Sequence, residues 1–121
     1  MPRLVESPVL GPAAGEQPKV IEEFVGRPST GSAEVSVARM RSPAGWAEPG
    51  QRARFREITL VLAGRVHAEF EGGRLVAAAG QAIVAEPGEW VRFSTPDPGG
   101  ADYVAICLPA FSPDLVRRDP A

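Results

Sequence analysis

The side chains able to do covalent or acid–base chemistry in this sequence are few. One cysteine, Cys107, and one histidine, His67, are present among 121 residues. A lone cysteine forms no intrachain disulfide. In the apolar run YVAICL it reads as a small buried hydrophobe rather than a nucleophile. A lone histidine excludes sites that take two or three imidazoles from one chain, including HExxH zinc sites and two-histidine iron sites. No P-loop, G-x-S-x-G or GxGxxG element is present, so phosphoryl transfer and hydride chemistry get no support. Carboxylates, amides, arginines and aromatics remain. Glu57 stands near the start of RARFREITLVLAG, and Gln51 shares its parity. Trp46 and Trp90 could stack on a planar ligand or plug a core. Arg39 and Arg92 could bind a carboxylate in bidentate fashion, and the Tyr103 hydroxyl could donate a hydrogen bond or a proton. His67 alternates with Val66 and Ala68, which together with Phe70 are expected to face inward, so His67 is expected on the surface beside Glu69.

The elements that must hold these side chains follow from composition and period. The chain contains 13 glycines and 13 prolines, which argues against a helical bundle and for short elements joined by turns. Apolar residues make up 44% and charged residues 23%, with a formal charge of −2. That balance is ordinary for one globular domain and recommends neither nucleic acid nor an anionic membrane as partner. The opening MPRLVESPVL lacks the signature of a signal peptide, and no window is apolar enough to span a membrane. A cytoplasmic location is therefore expected.

Residues 1–33 are rich in proline and read as an extended N-terminal arm, docking on the barrel or on a partner subunit. Within it, KVIEEFVG (19–26) is one strand or a short helical turn. The domain proper is expected over 34–121. AEVSVARM alternates as a strand does, and RSPAGWAEPGQ is a turn-rich connection. RARFREITLVLAG is the strongest strand signal, ended by Gly64. RVHAEFEGG stops at a Gly72–Gly73 hairpin, followed by strands in RLVAAAG, QAIVAEPG, EWVRFSTP and ADYVAICLP and a tail with one helical turn. About eight or nine short strands with turn signals at intervals of about 8–12 residues predict an all-β sandwich or barrel.

The sequence resembles the cupins, the RmlC-like jelly-roll β-barrels, over residues 34–109. The first cupin motif spaces Gly, His, His, Glu and Gly; here Gly45 is followed at those offsets by Gln51, Ala53, Glu57 and Gly64. The second spaces Gly, Pro, Gly, His and Asn; here Gly80 is followed by Glu86, Gly88, Val91 and Thr95. The glycines and Glu57 match, while Gln51, Ala53 and Val91 stand where the family has its metal-ligand histidines. A looser likeness to ethanolamine-utilisation cupins, which also lack the histidines, rests on REITLVLAGRVHAEFEGG and the strands that follow.

The resemblance implies a double-stranded β-helix whose lumen receives Gln51, Phe55, Glu57 and Thr59. Glu57 and Gln51 are then the candidate catalytic pair, the carboxyl as acid or base and the amide holding a substrate oxygen. Trp46, Arg39, Phe55, Thr59, Val91 and Tyr103 are the candidate ligand-binding side chains. The implied function is binding of a small polar organic molecule, with a metal-independent isomerase, lyase or cyclase reaction. The alternatives are a non-catalytic ligand-binding or accessory cupin, and one that holds a divalent cation through the oxygens of Glu57, Gln51 and Glu48. The outward row Ile58, Leu60 and Leu62 is costly in water and predicts a homodimer.

Overall fold

The computed structural model describes residues 1–13, 15 and 18–120. Among these, eleven strands form one continuous curled sheet and no α-helix is present. The strands are β1 (Val9–Leu10), β2 (Val20–Val25), β3 (Ser36–Ser42), β4 (Trp46–Ala47), β5 (Gln51–Ala53) and β6 (Arg56–Phe70). They continue with β7 (Gly73–Ala78), β8 (Ala82–Ala85), β9 (Trp90–Thr95), β10 (Ala101–Leu108) and β11 (Val116–Arg118). The strand order is β1-β2-β3-β10-β6-β9-β5-β11, with β4 on β9 and both β7 and β8 on β6. The long β6 ties the two halves together. Its first part pairs β10 and β8, and its second part pairs β7 and β9.

Strand period explains which faces are buried. In β10 the burial alternates residue by residue, with Ala101, Tyr103, Ala105 and Cys107 inside. Antiparallel register extends those positions into rows across the sheet. Ile21, Met40, Tyr103 and Val61 form one row. Glu23, Ala38, Ala105, Thr59 and Ile83 form the next, and Ser36, Cys107, Glu57 and Ala85 the third. The opposite face carries Val37, Ile106, Ile58 and Val84 in register.

Gly64 does not end a strand as the sequence suggests. β6 runs through it, and the register against β10 slips just before it, at Leu62, so that Tyr103 pairs with Val61 but Asp102 with Ala63 and Ala101 with Gly64. Gly64 has φ +74°, and a Cβ there would collide with the Gly100 carbonyl. The bulge inverts parity: Thr59 and Val61 are buried before it, Val66 and Ala68 after it. Phe70, expected inside, is 37% exposed because it lies at the hairpin end against Gly72 and Gly73.

Other elements refine the sequence reading. KVIEEFVG is a strand, β2, lying along β3. β1 adds to it, so segment 1–33 contributes two strands to the sheet. The turn-rich 41–51 connection contains β4, and the tail follows its single 3-10 turn (Pro113–Leu115) with β11, which pairs with β5.

Candidate functional site

Between the inward rows and the β4–β5 layer lies a cavity of about 510 Å³. Its wall includes Gln51, Phe55, Glu57, Thr59, Trp46 and Tyr103, six of the side chains singled out from sequence. Phe55, Thr59 and Trp46 are almost fully buried there.

Glu57 enters from β6, where pairing with Cys107 and Ala85 holds its Cβ on the inner face. Its carboxyl makes no hydrogen bond among the described residues, in contrast to Glu23, which accepts from the Ser29 backbone N–H at 3.2 Å. Burial disfavours its charged form, and the nearby Glu48 adds like-charge repulsion. Together these outweigh Lys19 and Arg118 and push its pKa up to about 7.

Gln51 and Arg118 are register partners on β5 and β11. Arg118 Nη1 donates to Gln51 Oε1 at 2.6 Å and reaches Glu48 Oε2 at 3.3 Å. A guanidinium has donors only, so it fixes which end of the amide is oxygen and leaves the Gln51 NH2 to donate into the cavity. The Glu48 backbone is pinned from both sides: its N–H donates to Phe93 O at 3.2 Å, and its carbonyl accepts from Arg92 Nε at 3.0 Å. Desolvation raises the Glu48 pKa against the pull of Lys19 and Arg118. Tyr103 Oη lies 2.8 Å from Ser42 Oγ, and burial keeps the phenol neutral and raises its pKa.

Three expectations from sequence fall elsewhere. Arg39 points to the outer face, where Nε and Nη2 form a bidentate pair with Asp102 at 3.0 and 2.6 Å. The position has the opposite parity to Ala38 and Met40, which line the cavity. Val91 is buried in the apolar core beside Phe93 and Val66, off the cavity wall. Trp90 donates from Nε1 to Asp119 at 2.9 Å and covers Gly50, also away from the cavity. His67 is turned from the cavity and bonds Asp97 at 2.7 Å, holding that carboxyl below its usual range.

The oxygen set Glu57, Gln51 and Glu48 is a poor cation site. Gln51 Oε1 and Glu48 Oε2 are already committed to the Arg118 guanidinium. Among the described residues no three His, Cys, Asp or Glu side chains gather as a metal would need. The family's three histidine positions hold Gln51, Ala53 and Val91, so the residues present do not fit the usual cupin metal.

Lys19 and Arg118 are wall residues that the sequence reading did not single out. Lys19 places Nζ 4.1 Å from the Trp46 ring centroid, 5.9 Å from that of Tyr103 and 3.5 Å from Met40 Sδ. Arg118 arrives from the tail. Alternation in KVIEEFVG would have put Lys19 on the Ile21 face. Nothing in VRRDPA marks Arg118.

Similar proteins agree with this architecture. RemF, the polyketide cyclase of Streptomyces resistomycificus, superposes over 100% of this chain and 87% of its own with a TM-score of 0.74 at 16% identity. The chain has the RmlC-like cupin fold. EutQ, the ethanolamine utilization protein of Salmonella typhimurium, matches over 77% of this chain and 71% of its own, with a TM-score of 0.64 and 22% identity. Endoribonuclease YbeY of Myxococcus xanthus is 41% identical to this chain over 101 residues. That is 84% of this chain and 34% of that protein, so the chain spans about a third of the curated relative it matches. No family model matches the chain. Among the described residues no helix is long and apolar enough to cross a membrane.

Proposed function

We propose that this small cupin binds a small polar organic molecule in its lumen and acts on it through Glu57 as general acid and base, as an isomerase, lyase or cyclase would. The observation that carries the reading is a carboxyl held near neutrality, without a hydrogen-bond partner among the described residues, on the wall of a cavity large enough for such a molecule. A group half-protonated near pH 7 both takes and returns a proton in one cycle. The Gln51 amide, fixed by Arg118, supplies a donor for a substrate oxygen, and the buried Tyr103 hydroxyl a second polar group. Phe55 and Trp46 supply apolar wall.

The test begins with the ligand. Native mass spectrometry of the purified protein, followed by extraction, identifies what the lumen retains. Glu57→Gln is expected to keep that ligand and lose turnover by about 10²-fold or more. Turnover within a few-fold of wild type removes Glu57 from the chemistry.

One observation favours a second reading, a non-catalytic ligand-binding or accessory cupin. The similarity to a third of a protein named as an endoribonuclease fits a ligand-sensing unit attached to another activity. On that reading the lumen binds its ligand with no turnover, and the isolated chain leaves single-stranded RNA intact. Turnover of the retained ligand that depends on Glu57 excludes it.

A further inference from the structure

We propose that the cavity takes a carbonyl compound and that Lys19 is its covalent anchor, forming an imine between Nζ and the carbonyl carbon. This rests on the reading of the cavity as a small-molecule site and deepens it by naming a substrate class.

Of the 13 lysine and arginine residues in the chain, one is lysine. Every exposed cationic position uses arginine, which stays protonated and is a poor nucleophile. The one amine side chain lies on the cavity wall, its Nζ between the Trp46 ring and Met40 Sδ and making no ion pair among the described residues. This one lies on a buried wall that disfavours its charge, although the faces of the Trp46 and Tyr103 rings attract an ammonium. Burial accordingly lowers the Lys19 pKa below the usual lysine value, more strongly than Glu48 and Glu57 raise it. An amine desolvated in an apolar pocket is the activated form for Schiff-base chemistry.

The step balances with groups already on the wall. The neutral amine attacks the carbonyl carbon, forming a C–N bond while the π electrons move to oxygen. Protonated Glu57 delivers a proton to that oxygen, giving a carbinolamine, and recovers one from nitrogen. Expulsion of the hydroxyl with a second proton then releases water and leaves the C=N bond. The net change is amine plus carbonyl to imine plus water, with no oxidant or reductant. The imine draws electrons from the adjacent carbon, and that is the position from which a carboxylate base would take a proton.

The test uses the full chain with benzaldehyde or glyoxylate as probe and sodium cyanoborohydride to reduce the imine to a secondary amine. Peptide mapping separates the Lys19 adduct from the N-terminal adduct. The expected result is faster labelling of folded Lys19 at pH 7 than of the same residue in the denatured chain, since a lowered pKa frees more of the amine. Lys19→Arg keeps the charge and is expected to lose this adduct while the N-terminal adduct persists. Folded labelling no faster than denatured labelling overturns the proposal. Amide and methyl shifts of Ala38 and Ala105, read with unreactive benzyl alcohol, separate the two ideas. Shifts without Lys19 labelling leave the small-molecule site standing and remove the imine. Neither shifts nor labelling removes both.

Discussion

Replacing Glu57 by Gln is expected to stabilise the protein, and by an amount that depends on pH in a defined direction. Gln is close in shape to the protonated acid, so the swap removes the ionisation and leaves the wall in place. The groups facing Glu57 are Glu48 from the β4–β5 loop, Lys19 ahead of β2, Arg118 from β11, and Cys107 and Tyr103 from β10. Burial and the Glu48 charge outweigh Lys19 and Arg118 and raise the pKa from an ordinary 4.5 to about 7. The folded state therefore binds more protons than the unfolded state between those values, so wild-type stability falls as pH rises through that window and is flat above it. At about 1.4 kcal/mol per pH decade the loss is about 3 kcal/mol. Below pH 4.5 the two proteins should be equally stable, and at pH 8 Glu57→Gln should exceed wild type by about 3 kcal/mol, or on the order of 10 °C in Tm. Urea unfolding at a series of pH values measures the difference directly. A difference at pH 8 below about 0.5 kcal/mol, the range of ordinary surface substitutions, would refute the desolvation argument.

Three further outcomes are expected. Arg118→Ala should cost about 1–2 kcal/mol in thermal unfolding. It strips Gln51 and Glu48 of their shared donor, but the guanidinium is 35% exposed and its contribution is screened. Sedimentation should show wild type as a homodimer and Leu60→Asp as a monomer, because Leu60, Leu62 and Val84 are 38%, 48% and 53% exposed on one outer face; a monomeric wild type would remove that interface. Cys107, buried and with its thiol pKa raised, should resist iodoacetamide in the folded protein at pH 8 and react once unfolded; equal rates would show that the β3–β10 face is open.

Much of the barrel was legible because it is written in period-2 alternation. ADYVAICLP and the Gln51–Val61 series give the inward rows directly, and odd parity from 51 to 61 holds in the structure. The cupin resemblance carried Glu57, Gln51, Phe55 and Thr59 to the wall, where they lie. What escaped depends on long-range geometry. Gly64 looks like a strand end because glycine is a local breaker, yet here it admits the close approach of Gly100 and lets β6 continue. Arg39 is placed outside by the parity of β3. Lys19 and Arg118 come from opposite ends of the chain and line one cavity only because β2 joins β3 while β11 joins β5. No spacing in the sequence connects them.

The claim on which the account turns is that the Glu57 carboxyl sits desolvated in the lumen and changes charge near neutrality. Titrating the 13C-labelled Glu57 side chain by NMR, assigned with Glu57→Gln, reads this without any substrate. A midpoint close to 7 is expected. A midpoint at or below 4.5 would contradict the account, since it would describe a carboxylate already solvated or paired.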